Sequence, residues 1–127
     1  MSRKILVVDD SNTTRGQLRF TLADAGYEVI EAVDGLDGLA KLRAHRDIAM
    51  VLCDVNMPRQ GGLEMLESLP AHLPGRVPPI VVLTTEGAVD LIQRAQRAGA
   101  KGWIRKPFKP ELLLAAVQKL TGSAGPA

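Results

Sequence analysis

Short apolar runs separated by polar, turn-forming segments give the chain its rhythm. The first, Ile5-Leu6-Val7-Val8, carries no polar position and stops at Asp9-Asp10. A strand with one wet face alternates, so an unbroken apolar run suits a strand covered on both faces. Further strands are predicted at residues 27–32, 48–53, 80–83 and 103–104. Between them the period lengthens to that of a helix. Leu18, Leu22 and Ala25 trace the first helix and Leu36, Leu39, Ala40 and Arg43 the second. Leu63, Leu66 and Leu69 trace the third, and Ala88, Leu91, Ile92, Ala95 and Ala98 the fourth. Leu113, Ala116, Val117 and Leu120 trace the fifth. Ser11, Asn12 and Thr13 are N-cap candidates. Gly26 and Gly99 sit where helices stop, and Pro110 suits a first helical turn. Loops are predicted over 55–62, with Pro58, Gly61 and Gly62 as breakers, and over the proline-rich stretch 70–79.

Five strand–helix units imply an α/β protein: a doubly wound parallel sheet of five strands, covered by five helices and joined by right-handed crossovers. A length of 127 residues fits one domain, placed at 1–121 with a flexible tail at 122–127. Neither composition nor periodicity suggests disorder or repeats. The longest apolar runs, 48–53 and 112–117, fall far short of the roughly 20 residues of a membrane span. One cysteine excludes an internal disulfide, and the apolar start is too short for a signal peptide. These features suit a cytoplasmic protein off the membrane. A net charge of +2, spread along the chain, gives no footing for direct nucleic-acid binding.

In sheets of this kind, sites form beyond the carboxyl ends of the strands. The residues there are polar although each follows an apolar run: Asp9 and Asp10 after the first strand, Asp54 after the third, Thr84 after the fourth and Lys106 after the fifth. Crowded carboxylates need a cation or raised pKa values. An all-oxygen set suits a hard ion such as Mg²⁺, which leaves positions open for a phosphoryl oxygen. Lysine and threonine add a positive charge and a hydroxyl donor, and a carboxylate can serve as nucleophile. The chemistry is that of a Mg²⁺-dependent phospho-aspartate site. Asp54, alone at the end of the third strand, is assigned as acceptor; spacing by itself leaves the choice among the aspartates open.

With those residues in place, the chain resembles the receiver domains of two-component response regulators, of the single-domain, CheY-like kind. Val7-Val8-Asp9-Asp10, Asp54-Val55-Asn56-Met57-Pro58, Thr84-Thr85-Glu86, Ala98-Gly99-Ala100 and Lys106-Pro107-Phe108 occur in family order across about residues 3 to 121. The resemblance implies a flavodoxin-like strand order, 2-1-3-4-5. It implies Asp54 as phosphoacceptor and Mg²⁺ held by Asp10 and Asp54, by Asp9 mostly through water, and by the backbone carbonyl of Asn56. Thr84 and Lys106 would bind the phosphoryl group, and Trp103 falls at the family's aromatic switch position. Core packing is the other reading of Trp103. Asn56 and Glu86 sit where the family tunes phosphoryl lifetime and match the short-lived, chemotaxis-like pattern. A cis bond is implied before Pro107.

The chain departs from the family at Gly61, where aspartate is frequent, and at Thr85, where a smaller alanine is usual and the larger side chain would crowd the phosphoryl pocket. The implied activity is not that of an enzyme beyond self-catalysed phosphoryl acceptance and loss. The implied donor is a sensor histidine kinase or phosphotransfer protein. Output would run through a target protein bound on the face of the fourth helix, fifth strand and fifth helix, by a monomer or weak dimer, in a pathway such as chemotaxis. Two alternatives stand beside this: a receiver cut from a larger regulator, and a small Mg²⁺-dependent phosphohydrolase working through an aspartyl phosphate. Outside the site, Cys53 is expected in the core, His45 and His72 on the surface, and Arg94, Arg97 and Lys101 on a solvated helix face.

Overall fold

Strands and helices alternate throughout the computed structural model, which describes residues 3–55, 62–85 and 89–122. The order is β1 (Lys4–Val8), α1 (Asn12–Asp24), β2 (Glu28–Ala32), α2 (Gly35–Ala44), β3 (Ile48–Asp54), α3 (Gly62–His72), β4 (Ile80–Thr84), α4 (Val89–Arg97), β5 (Gly102–Arg105) and α5 (Pro110–Thr121). The strands form one parallel sheet in the order β2-β1-β3-β4-β5. The doubly wound α/β fold and its strand order are as the sequence and its family resemblance imply.

Both faces of the central strands β1, β3 and β4 are dry because their apolar runs have no polar side. Alternate residues of β1 and β3 feed two cores. Ile5, Val7, Met50 and Leu52 pack with Leu18 and Leu22 of α1 and with Leu113 and Val117 of α5. Leu6, Val8, Val51 and Cys53 pack on the other side with Leu42 of α2, Leu63, Leu66 and Leu69 of α3 and Ala95 of α4. Local chemistry sets the ends. Ser11 Oγ accepts from Thr14 N at 3.2 Å at the start of α1, and Asp34 Oδ1 accepts from Asp37 N at 2.8 Å at the start of α2. Gly26 takes φ +94° just past α1, a backbone state that favours glycine.

The proline-rich stretch is not loop from its first residue: α3 runs through Pro70 to His72. Leu69 and Leu73, one turn apart, are both fully buried, and Leu73 N donates to Leu69 O at 2.7 Å. Burial of that pair outweighs the single backbone bond a proline forfeits near a helix end. The switch point of the sheet lies between β1 and β3, since the chain leaves β1 to one side for β2 and returns past it to β3. Among the described residues no helix is long and apolar enough to cross a membrane.

Candidate functional site

The register Val8↔Cys53 sets the next residues, Asp9 and Asp54, side by side beyond two buried strands. Asp54 in turn pairs with Leu83 of β4, whose next residue is Thr84. Lys106 follows β5, and its backbone N–H donates to Thr84 O at 2.7 Å. Four strand ends thus converge on one edge of the sheet.

Asp9 is fully buried, Asp54 is 3% exposed, and Asp10 faces solvent. Lys106 joins the two buried acids: its Nζ donates to Asp9 Oδ2 at 3.0 Å and to Asp54 Oδ2 at 2.9 Å. Asp9 Oδ1 accepts from Ser11 N at 2.8 Å. Burial raises the Asp9 carboxyl above its ordinary value. The Ser11 and Lys106 hydrogen bonds oppose that shift, and the charge of Asp54 adds to it. For Lys106, burial acts to lower the ammonium, but its bonds to Asp54 and Asp9 outweigh burial and leave it raised. Lys106 is therefore held charged.

Asp9, Asp10 and Asp54 each offer a carboxylate oxygen, all within 4.8 Å of one another. Three carboxylates face one ammonium, and the donor set is oxygen alone. A divalent cation with hard-ligand preference, such as Mg²⁺, fits both the charge and the chemistry. Asn56, the fourth ligand implied by resemblance, and Glu86 lie outside the described residues.

Thr84 is 2% exposed at the end of β4, and its hydroxyl donates to Thr85 O at 3.2 Å. The Lys106–Pro107 peptide bond is cis. Trp103 lies three residues before Lys106 on the edge strand and is 52% exposed, which overturns the reading of it as a core residue. Cys53 is buried as expected, and burial pushes its thiol pKa far up, so it is inert. One surface expectation needs correction: Arg94 is not simply solvated, since it grips Glu67 of α3 through two bonds of 2.9 and 2.6 Å. His72 is exposed as expected, and its Nδ1 lies 2.5 Å from Arg43 Nη2.

Arg15 is a neighbour that the motifs do not single out. It is 8% exposed on α1, with its Nη1 donating to Asp9 O at 2.5 Å. Its signal was present in the sequence: it lies three and seven residues before Leu18 and Leu22, a charge on the apolar stripe of the helix.

Comparison with known proteins bears directly on this geometry. Residues 5–118 match the family described as response regulator receiver domain. The chemotaxis protein CheY1 of Helicobacter pylori strain J99 is 37% identical over 121 residues, covering 94% of this chain and 98% of that one. The chemotaxis protein CheY4 of Vibrio cholerae superposes with a TM-score of 0.86 at 40% identity, covering 94% of this chain and 99% of that chain. A putative response regulator from Chloroflexus aurantiacus gives a TM-score of 0.88 at 29% identity, covering 96% and 99%. With an acid cluster at the switch point and a family match over nearly its whole length, the chain belongs to the CheY-like response regulator receiver domains, signalling modules of two-component systems and not classical enzymes.

Proposed function

We propose that this receiver accepts a phosphoryl group on Asp54 from a phosphohistidine of a sensor histidine kinase or phosphotransfer protein, and that the phosphorylated chain signals by binding a downstream protein. The observation that carries this is the placement of Asp54: a nearly buried carboxylate at the end of a central strand, bonded to Lys106 and beside two further acids. An Asp54 carboxylate oxygen attacks phosphorus, the P–N bond to the donor imidazole breaks, and the imidazole leaves with the electron pair. Lys106, already charged, meets the phosphoryl oxygens, and the Thr84 hydroxyl turns to them from the Thr85 carbonyl. Asp10 and Asp54 would hold Mg²⁺, with Asp9 through water; the bound ion supplies neutralisation of the negative charge gathered there. Asn56 and Glu86 tune the phosphoryl lifetime, and the match to the chemotaxis-like pattern supports a short one.

Output runs through the α4–β5–α5 face, where Val89, Trp103 and Leu112 are each more than half exposed. Phosphorylation shifts that surface between two states, with Trp103 reporting the shift. Chemotaxis is the pathway suggested by the likeness to the chemotaxis proteins of Helicobacter pylori and Vibrio cholerae. The reading places residues 1–121 in the receiver, 122–127 in a tail (of which 123–127 lie outside the described residues), and the chain in the cytoplasm as a monomer or weak dimer without nucleic-acid contact.

The test is Mg²⁺-dependent labelling by a small phosphodonor, read by intact mass, with beryllofluoride titration followed by Trp103 fluorescence. Wild type gains one phosphoryl group only with Mg²⁺, and Asp54→Ala gains none. Absence of labelling and of beryllofluoride binding in wild type at every Mg²⁺ concentration would overturn the proposal.

A further inference from the structure

A guanidinium is an expensive group to place on the buried stripe of a helix, because it must be desolvated. Arg15 stands there with three bonds. Nη1 donates to Asp9 O at 2.5 Å, Nη2 to Asn12 Oδ1, and Nε to Glu31 Oε1 at 3.2 Å. Glu31, on β2, is itself fixed: its Oε2 accepts from Arg19 at 2.7 Å and its carbonyl from Lys41 at 3.3 Å. Packing alone does not explain such a choice, since the same stripe is filled by leucine at positions 18 and 22.

What the guanidinium holds is the carbonyl of the peptide joining Asp9 to Asp10. A peptide is planar, so fixing its carbonyl fixes the positions of both flanking Cα atoms. On the other side of Asp9, its N–H donates to Ala32 O at 3.1 Å, and its carboxylate is tied to Ser11 N and Lys106. Asp10 faces solvent. The Cα from which its side chain leaves the backbone is held by the peptide that Arg15 grips.

We propose that Arg15, braced by Glu31, is a positioning residue of the cation site: it locks the Asp9–Asp10 peptide so that the two adjacent carboxylates are presented together with Asp54. This rests on the cation-binding reading above. Arg15 acts from behind the acid cluster and touches neither the ion nor the phosphoryl group.

Calorimetric titration with MgCl₂ alone tests it, on wild type, Arg15→Gln, Arg15→Lys, Glu31→Gln and Arg19→Gln, with the metal-free melting temperature of each. Partners of this kind, one step removed from a metal ligand, are worth about 10- to 100-fold in affinity. Arg15→Gln should weaken Mg²⁺ by about tenfold or more. Arg15→Lys should fall between, since an ammonium reaches the carbonyl but cannot span Glu31 as well. Glu31→Gln, which loosens the brace without touching Asp9, should weaken Mg²⁺ by a smaller factor. Arg19→Gln, which frees only the far oxygen of Glu31, should weaken Mg²⁺ by no more than Glu31→Gln does. A merely structural Arg15 would lower the metal-free melting temperature of Arg15→Gln and leave the affinity alone; that result overturns the proposal. Should Arg15→Gln not fold, wild-type affinity in Glu31→Gln overturns it instead. Failure of wild type itself to bind Mg²⁺ would sink the cation reading first, and this inference with it.

Discussion

The two ends of the sheet's working surface are built differently. At the acid site, β3 is buried at six of its seven positions, and its last residue, Asp54, is held by Lys106. On the α4–β5–α5 side, β5 alternates between half-buried and exposed, and α4 buries Ala95 alone among its described residues. Val89, Trp103 and Leu112 stand in solvent there. A site that must present three carboxylates in one geometry needs rigid walls. A surface that must take two arrangements needs few fixed contacts, so that a small free-energy change can shift it. The molecule sets its chemistry in the part it packs most tightly and keeps its loosest packing for the face proposed to signal.

That contrast can be broken most directly by packing. Leu52 on β3 is fully buried. Leu52→Ala should cost about 2–5 kcal/mol of unfolding free energy in a urea melt. Leu112→Ala on the exposed face should stay within about 0.5 kcal/mol of wild type. Equal losses would mean that the two regions are equally packed. Next in size is Gly62, the first residue of α3. A Cβ there would clash with Cys53 Sγ and lie 2.5 Å from Asp54 O. Gly62→Ala must push the helix off the acceptor strand, at about 1–3 kcal/mol, and should slow phosphoryl acceptance at Asp54. Unchanged labelling with a lowered melting temperature would show that Asp54 does not feel the displacement.

How much of this was readable from sequence follows the same division. Continuous apolar runs ending in Asp9-Asp10, Asp54 and Thr84 announce buried strands, and a parallel sheet brings their polar ends to one edge, where such folds place their sites. The short β5 and the exposure of Trp103 were less legible. A lone tryptophan reads equally well as core or surface until the edge position of its strand is known. Pro70 misleads because local propensity cannot show that Leu73 is fully buried beyond it. Arg15 escaped because motifs mark the residues that touch the chemistry. The role of Arg15 depends on a contact with the Asp9 carbonyl that only the fold creates.

Asp9 sharpens the contrast from the electrostatic side. Burial raises its carboxyl above the ordinary 3.8, so its ionised form costs stability in the metal-free chain. Asp9→Asn keeps the acceptor for Ser11 N and removes the charge. It should raise the metal-free melting temperature at neutral pH while weakening Mg²⁺. The sign follows from a raised folded pKa: the carboxyl favours the folded state only when protonated, and that contribution is lost as pH rises through the folded value. The advantage of Asp9→Asn should therefore shrink as pH falls into the window just above 3.8. Saturating Mg²⁺ should reverse the order of the two melting temperatures. A variant less stable than wild type at neutral pH without metal would sink this account.

The smallest expected effect concerns what holds α4 in place. With Ala95 its sole buried described residue, the helix depends more than the others on its surface tie to α3, the Arg94–Glu67 pair. The hydrogen bond from Arg94 lowers the Glu67 carboxyl, and its counterpart raises Arg94. Both side chains are more than two-fifths exposed, so the pair is screened and contributes little to global stability. Its contribution is present above the ordinary carboxyl range and lost as pH falls through the lowered Glu67 value. Glu67→Gln should leave the melting temperature unchanged within error, yet speed hydrogen exchange of the α4 amides and leave those of β3 untouched. High salt should erase the difference between the two proteins. Identical α4 exchange in low salt would show that the helix is held by its apolar contacts alone, and that the looseness of this face owes nothing to the pair.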